Sequence, residues 1–256
     1  MDPQQRSVAE EFDSYKQSYK DAVNASLGFS GLDVDFFTRV KAEYLIDLLA
    51  RHVGALDRLH LLDIGCGIGN YHRLLQPYVG GLTGVDVATE CVAQAASENP
   101  GVSYDSYDGS NLPYEAGRFD AAFTICVMHH VPRAHWPKFV SEAYRVLRPG
   151  GLFVVFEHNP LNPLTRRVVD RCPFDRDAEL LKAPETVDLL REARFMNVEQ
   201  RFILSIPAAN RLLRGVDQLF GALPLGAQYY VIGTKPPDLE QTGQPDQRDA
   251  AHGPMV

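Results

Sequence analysis

One ten-residue segment limits what this chain can fold into more than any other. Residues 61–70 read Leu-Leu-Asp-Ile-Gly-Cys-Gly-Ile-Gly-Asn, an apolar run followed by three alternating glycines. Glycine permits positive φ and lacks the Cβ that would hold a ligand away from the backbone. A helix that begins after such a turn offers unpaired N–H groups to that ligand. The segment therefore predicts a strand, a ligand-binding turn and a helix, the opening unit of an α/β sheet.

The remainder of the chain continues this alternation of strands and helices. Short runs rich in β-branched residues alternate with amphipathic stretches, as expected when helices cover both faces of a mostly parallel sheet. Seven strands are predicted, at 59–64, 81–86, 102–107, 119–126, 151–157, 198–204 and 229–234. Helices are predicted at 37–52, 71–78, 89–98, 134–147, 184–193 and 211–219.

Length, charge and cysteine usage exclude several classes of protein. The chain has 256 residues, 45% of them apolar, which suits one large α/β domain. Its formal net charge of -8 disfavours a nucleic-acid partner. No run approaches the roughly 18 apolar residues that span a bilayer, and the polar N-terminus does not read as a signal peptide, so we expect a cytoplasmic protein without membrane insertion. The four cysteines form no CxxC pair, and no metal site is predicted.

The spacing of the glycines separates two kinds of nucleotide site. A dinucleotide fingerprint has glycines at the first, third and sixth positions, whereas Asn70 stands at the sixth position here. Asp63 precedes the first glycine by two residues. The resulting DxGxGxG pattern resembles the first motif of the class I S-adenosylmethionine-dependent methyltransferases. A sulfonium cofactor without phosphate would favour a carboxylate such as Asp63 near its cationic end.

Further motifs follow in the order of this family across residues 61–151. An acid ends the second strand in Gly84-Val85-Asp86-Val87, and a carboxylate there can accept hydrogen bonds from both ribose hydroxyls. Residues 108–114 resemble the family's D-x-x-x-L-P-[FY] segment, which implies that Asp108 binds the adenine amino group, although an Asx turn would also account for it. Residues 118–131 resemble its fourth motif, and residues 147–151 its L-[KR]-P-G-G turn.

The resemblance implies a fold, a cofactor and a set of contacts. It implies a Rossmann-like sheet whose last strand is antiparallel, with S-adenosylmethionine as cofactor. The domain would span 37–235 with insertions at 160–182 and 207–227, preceded by lid helices in 1–36 and followed by a disordered tail at 236–256. The predicted cofactor contacts are Asp63, Gly65, Cys66, Gly67, Gly69, Asp86, Val87, Asp108, Gly109, the backbone carbonyl of Cys126, and the lid tyrosines Tyr15 and Tyr19.

The acceptor side is less constrained by the sequence. A general base would stand at a strand end that faces the cofactor, and the candidates are His158, His130 and His129, with Glu157 beside them. The arginines Arg166, Arg167, Arg171 and Arg176 would hold an acidic group of the acceptor or form a solvated loop.

The predicted function is methyl transfer to a small molecule, with O-methylation of a natural product or sugar-type metabolite as its most specific form. An NAD-dependent oxidoreductase and a non-catalytic S-adenosylmethionine-binding protein stay open as alternatives. The chain is expected to be a monomer or homodimer.

Overall fold

A seven-stranded mixed sheet forms the centre of the computed structural model, which describes residues 3–15, 19–28, 31–175 and 178–237. The strand order is β3-β2-β1-β4-β5-β7-β6. The pairs β1–β2, β1–β4, β2–β3 and β4–β5 are parallel, and β7 is antiparallel to both its neighbours. The strands are β1 (His60–Ile64), β2 (Gly81–Asp86), β3 (Ser103–Ser106), β4 (Phe119–Ile125), β5 (Leu147–His158), β6 (Met196–Ile203) and β7 (Gln228–Thr234). The predicted Rossmann-like α/β fold is confirmed.

Helices cover both faces of this sheet. They are α1 (Pro3–Tyr15), α2 (Tyr19–Leu27), α3 (Val34–His52), α4 (His72–Leu75), α5 (Thr89–Glu98), α6 (Trp136–Val146), α7 (Pro163–Val169), α8 (Ala183–Glu192) and α9 (Arg211–Leu219). Helix α3 begins three residues earlier than predicted, because Asp33 caps it by accepting a hydrogen bond from Phe36 N–H.

The core divides into two apolar layers, one on each face of the sheet. On β5, Phe153 and Val155 pack in one layer with α6 and α8, while Val154 and Phe156 pack in the other with α3. A strand in the middle of a sheet that is buried on both faces has a nearly unbroken run of apolar residues in its sequence. This explains why the sequence of β5 shows no alternation of polar residues after Gly151.

Two further predicted elements differ from the structure, β5 because of long-range strand pairing and α4 because of a proline. Strand β5 begins at Leu147, directly after α6, because Phe119 pairs with Leu147 and Ala121 pairs with Leu152. The predicted turn at 147–151 is therefore part of the strand, with a bulge between Leu147 and Leu152. Helix α4 is four residues long, against the eight predicted, because Pro77 has no N–H to continue the helical ladder.

The two predicted insertions contain α7 and α9. Both segments lie on the side of the sheet where the parallel strands end, and 159–165 is tied to 224–227 by side-chain hydrogen bonds from Asn159, Asn162 and Thr165. No helix within the described residues is both long and apolar enough to cross a membrane. The predicted tail lies outside the described residues from residue 238 onwards.

Candidate functional site

The glycine turn after β1 is fastened to the end of β2. Gly65 N–H and Cys66 N–H both donate to Val85 O, at 2.8 and 3.2 Å. Gly67 N–H donates to Asp86 Oδ2 at 2.7 Å, and Gly67 has φ +50°. A Cβ on Gly67 would meet no described atom within 4 Å. The backbone here therefore faces open space, as a ligand-binding turn requires.

That open space is a cavity of about 130 Å³ between the turn and helix α1, which we call the glycine-loop cavity. Asp63 and Asp86 lie at its base, and Gln5, Val8 and Phe12 of α1 lie over it. Burial raises the pKa of Asp86, and the N–H groups of Ala88 and Gly67 partly offset that effect. Among the described residues that line the cavity there is no lysine or arginine. The cavity therefore favours a cationic ligand over a pyrophosphate.

Asp63 is held by a buried histidine. His72 Nε2 lies 3.0 Å from Asp63 Oδ2, and its other ring nitrogen bonds Tyr104 Oη. Burial raises the pKa of Asp63, and the hydrogen bond from His72 acts in the opposite direction. The histidine thus fixes the orientation of the carboxylate at the strand end.

A second cavity, of about 290 Å³, opens beside the first, and we call it the adjoining cavity. Helices α2, α3 and α7 provide mostly apolar walls, while polar side chains from the ends of β4, β5 and β7 form its floor. The residues that line both cavities are Phe12, Asn70, Tyr71, Ile125, Cys126 and His130. The two spaces are therefore neighbours across a shared wall.

Three histidines surround Asp175 in the adjoining cavity. Glu157 Oε2 lies 2.6 Å from His129 Nδ1, and Glu157 Oε1 accepts hydrogen bonds from two backbone N–H groups. Asp175 Oδ1 lies 3.6 Å from His129 Nε2 and 3.4 Å from His130 Nε2. Ligand atoms of His129, His158 and Asp175 lie within 4.8 Å of one another, so these three residues could hold a metal ion.

The carboxylates set the charge of the histidines. Burial alone would lower the pKa of His129, but Glu157 and Asp175 raise it well above its ordinary range. Burial, together with the charge on His129, lowers the pKa of His130 to about 3. At neutral pH His129 is therefore protonated and His130 is neutral.

A buried cation completes the floor of the adjoining cavity. Lys41 is 6% exposed, and its Nζ lies 3.6 Å from Cys126 Sγ and 5.8 Å from the centre of the Tyr71 ring. Cys126 has φ +57° at the end of β4, and its N–H donates to Phe156 O at 2.8 Å. Burial alone would raise the pKa of Cys126, but Lys41 and His158 lower it to about 7. The Lys41 ammonium group therefore lies against a thiol and an aromatic ring.

Comparisons with known proteins agree with this geometry. Residues 62–155 match the model of a methyltransferase domain. The ubiquinone biosynthesis O-methyltransferase of Methylobacterium nodulans is 37% identical over 129 residues, 46% of this chain and 51% of that protein. The sterol 4-C-methyltransferase of Caenorhabditis elegans is 33% identical over 116 residues, 43% of this chain and 34% of that protein. A SAM-dependent methyltransferase from Thermotoga maritima has a TM-score of 0.55 at 22% identity, over 78% of this chain and 98% of its own.

The resemblance of residues 61–151 to the class I S-adenosylmethionine-dependent methyltransferases is confirmed, since residues 62–155 match the methyltransferase-domain model. Its cofactor is S-adenosylmethionine. The chain spans 34, 40 and 51% of the length of three of the curated relatives that it matches.

The glycine-loop cavity has the negative charge and the open backbone expected of a site for this cofactor. Asp86 would accept the ribose hydroxyls, since each carboxylate oxygen has capacity beyond its one backbone bond. Gly67 leaves room for the methionine portion, and Asp63 lies at the base of the same cavity. When bound, the cofactor supplies an electrophilic methyl group on a sulfonium.

Most of the predicted cofactor contacts of the methyltransferase line one cavity. They are Asp63, Gly65, Cys66, Gly67, Asp86, Val87 and Cys126. Three others do not line it. Gly69 faces the packing between the turn and β3, where a Cβ would meet Tyr104 Oη and Asn99 Nδ2 at 2.8 Å. Asp108 Oδ1 closes an Asx turn by accepting from Ser110 N–H and Asn111 N–H, and Gly109 O accepts from Gln5 Nε2 at 2.8 Å.

The remaining predicted residues of the methyltransferase divide into two groups. His129, His130 and His158 all line the adjoining cavity, and His130 also lines the glycine-loop cavity. The side chains of Tyr15 and Tyr19, and all of Arg176, lie outside the part of the chain that the structure describes. Arg166, Arg167 and Arg171 line a shallow groove on the surface.

Sequence reasoning missed several residues of the methyltransferase site. Phe12 lies between the two cavities, Lys41 and Gln228 lie on the floor of the adjoining cavity, and Asp175 lies among its histidines. Lys41 carried a detectable signal, because it lies at helical spacing from the apolar residues Phe37, Tyr44, Leu45 and Leu48. A lysine on the apolar face of a helix is a candidate for function.

Proposed function

We propose that the chain transfers a methyl group from S-adenosylmethionine to a hydroxyl oxygen of a small, largely apolar molecule held in the adjoining cavity. The proposal rests on one observation. The two cavities share a wall that includes Cys126 and His130, and the methyl group would pass across this wall. Methyl transfer is an in-line displacement, so placing both reactants in contact supplies a large part of the catalysis.

Lys41 supports oxygen as the methylated atom. A buried ammonium is costly unless an anion compensates it, and its contacts given above are with a thiol and an aromatic ring. Cys126 can supply part of this charge as a thiolate, because Lys41 and His158 lower its pKa to about 7. An acceptor hydroxyl that ionises in the cavity would place a second anion beside Lys41. The proposal therefore favours an acceptor with an acidic hydroxyl group, such as a phenol or a quinol.

The histidines have different parts in this proposal. His129 stays protonated and orders Asp175 and Glu157, so it does not accept the acceptor proton. His130 is neutral and adjoins both cavities, and His158 lies half-buried in the adjoining cavity. We infer that His130 and His158 orient the hydroxyl group, with His158 as the residue that accepts its proton.

The apolar walls indicate a class of acceptor. Val23, Leu27, Phe36 and Phe37 suit a natural product with a hydrocarbon body better than a sugar. Two of the relatives described above act, by name, in ubiquinone biosynthesis and on a sterol. Both names denote molecules with an extended apolar part.

We also propose that α1 is part of a lid over the cofactor and that 160–182 and 207–227 form the acceptor side of the domain. Phe12 and Gln5 support this division, because they cover the glycine-loop cavity from α1. Asp13 Oδ1 ties α1 to α5 by accepting from Glu90 N–H and Cys91 N–H.

Turnover with a library of phenols, quinols and hydroxylated terpenoids tests the function, with transfer of an isotopically labelled methyl group as the readout. Lys41→Met should lower kcat/KM by 10²- to 10³-fold, the scale found for losing one electrostatic contact to a developing oxyanion, and leave S-adenosylhomocysteine affinity unchanged. Lys138→Met, on an exposed face of α6, is the matched control. Cofactor binding without transfer to any acceptor would favour a non-catalytic binding protein, and NAD binding would favour an oxidoreductase.

A further inference from the structure

Helix α9 presents its polar side to the protein and its apolar side to solvent. Asp217 is fully buried and accepts hydrogen bonds from Tyr44 Oη, Leu204 N–H and Ser205 N–H at 2.7 to 2.8 Å. Arg214 is also buried and pairs with Glu43 of α3. On the opposite side, the exposed fractions of Leu212 and Leu219 are 78% and 79%. A surface helix normally has the reverse arrangement.

The outward leucines belong to a larger apolar surface. Ten large apolar side chains are exposed within the described residues, and all except Tyr78 and Met196 lie in two segments. Those eight, which we call the leucine surface, are Leu161, Leu164, Leu212, Val216, Leu219, Phe220, Leu223 and Leu225. The two segments adjoin, because Asn162 Nδ2 donates to Leu225 O at 2.8 Å. A patch of this kind marks a contact with a partner or a membrane.

The leucine surface is continuous with the acceptor side of the site. Leu164 is 59% exposed and also lines the adjoining cavity. Thr165, the next residue, lines the same cavity and bonds Ala227 O. An apolar molecule could therefore pass from the surface to the cavity along leucine side chains.

The charge around this surface differs from that of the whole chain. Residues 207–227 contain one acidic residue, Asp217, and it is buried, whereas Arg211 is exposed. Beside Leu164, Arg166, Arg167 and Arg171 share a groove with one exposed acid, Asp170. The chain as a whole carries a net charge of -8. A local excess of arginine beside leucines attracts anionic phosphates and is poorly matched to a second copy of an acidic chain.

We propose that the leucine surface docks on the face of a lipid bilayer that contains anionic lipids. The leucines would enter the boundary between headgroups and acyl chains, and the arginines would contact lipid phosphates. Such a helix lies in the plane of the interface and does not cross the bilayer. Docking would place the adjoining cavity at the apolar layer, where it could receive a lipid-like acceptor without exposing it to water.

Sedimentation with vesicles tests this proposal in the absence of cofactor and acceptor, so its outcome is independent of methyl transfer. The full chain should bind vesicles of phosphatidylcholine with phosphatidylglycerol more strongly than vesicles of phosphatidylcholine alone. Leu212→Ser/Leu219→Ser should weaken binding by at least about tenfold, whereas the matched control Tyr78→Ser/Met196→Ser should not. Arg166→Gln/Arg211→Gln should weaken binding to the anionic vesicles by about fivefold for each charge, and the equal charge change Arg58→Gln/Arg191→Gln should have a smaller effect.

Several results would overturn the proposal. They are absence of binding by the wild-type chain, equal binding to both vesicle types, or undiminished binding by the leucine variant. A wild-type dimer that the leucine variant converts to a monomer, without vesicle binding, would show that the surface joins two copies. Unchanged affinity for S-adenosylhomocysteine confirms that each variant is folded.

Discussion

At the residue scale, the three glycines of the turn after β1 differ in what the absence of a Cβ allows. Gly67 leaves open space for a ligand, Gly65 allows the approach of Val127, and Gly69 allows the approach of Tyr104. The sequence predicted all three as cofactor contacts because spacing alone does not reveal what faces a missing Cβ. Only the packing of β3 and the segment after β4 against the turn distinguishes them.

Gly67→Ala tests the ligand-facing role directly. The Cβ would enter the glycine-loop cavity, so we expect S-adenosylhomocysteine affinity to fall by at least about tenfold. Gly150→Ala is the matched control, since Gly150 also has positive φ and open space around its Cβ but lies in the β5 bulge. Both variants should lose about 1 to 2 kcal/mol of unfolding free energy from backbone strain. Equal cofactor affinities, measured by calorimetry, would refute the assignment.

Asp86→Ala tests the proposed ribose contact. Loss of a charged hydrogen-bond acceptor should weaken S-adenosylhomocysteine binding by about 1 to 3 kcal/mol. Asp188→Ala, at an exposed position of α8, provides the control for loss of a negative charge. Thermal unfolding should accompany the titration, because Asp86 also holds the backbone of Gly67 and Ala88. A folded Asp86→Ala variant that binds S-adenosylhomocysteine with wild-type affinity would show that Asp86 does not contact the ribose.

At the element scale, one side chain of α6 holds the loop after β3. Glu142 is buried, and its Oε2 accepts hydrogen bonds from Leu112 N–H at 2.9 Å and from Arg145 at 2.7 Å. Arg145 in turn donates to the carbonyls of Leu112 and Tyr114. The sequence indicated this segment only as a motif, because the partner that orders it is 30 residues away on a helix.

The contribution of the Glu142 hydrogen bonds to the stability of the fold should depend on pH, and Glu142→Gln tests this. Burial alone would raise the pKa of Glu142, but hydrogen bonds from Arg145 and Leu112 lower it overall. The ionised side chain therefore stabilises the folded chain above the unfolded-state pKa of about 4.3, and the contribution is lost as pH falls through the lower folded-state value. We expect Glu142→Gln to cost about 1 to 3 kcal/mol at pH 7 and progressively less in acid.

Denaturant unfolding at a series of pH values measures this difference. The exposed Glu115 provides the control substitution, Glu115→Gln, which should change stability little at any pH. A loss of unfolding free energy in Glu142→Gln that does not depend on pH would show that the shape of the side chain, and not its charge, holds the loop after β3.

Elements were predictable where the apolar pattern is local. Strands β1, β2 and β4 and helix α5 lie where the periodicity placed them, within two residues at each end. The antiparallel direction of β7 came from the family resemblance, whereas its position between β5 and β6 was not predicted, because pairing of strands distant in the chain leaves no local signal. The β5 bulge was missed for the same reason, since it depends on the register with Phe119.

At the scale of the whole molecule, the site consists of two neighbouring cavities that share one wall and are otherwise lined by different residues. Val168 of α7 is half-buried and lines only the adjoining cavity. The sequence predicted insertions at 160–182 and 207–227, but the contacts of these segments were not predictable because loops are placed by tertiary packing. The sequence could indicate the residues that line the glycine-loop cavity because the motif acts through backbone geometry.

Val168→Trp should therefore separate the two functions of the molecule. The larger side chain would fill part of the adjoining cavity, so we expect a rise in acceptor KM of about tenfold or more with unchanged affinity for S-adenosylhomocysteine. Met196→Trp, at an exposed position of β6 outside the leucine surface, is the control for an added tryptophan. A parallel loss of cofactor affinity in Val168→Trp would show that the two cavities do not act independently.

The central claim is that a sulfonium cofactor lies on the glycine turn with its methyl group directed at the wall shared by the two cavities. A crystal structure of the chain with S-adenosylhomocysteine tests it most directly. The account predicts the ribose at Asp86, the methionine portion beside Gly67, and the sulfur next to Cys126 and His130. An empty glycine-loop cavity, or a nicotinamide dinucleotide preferred there in the same crystals, would contradict it.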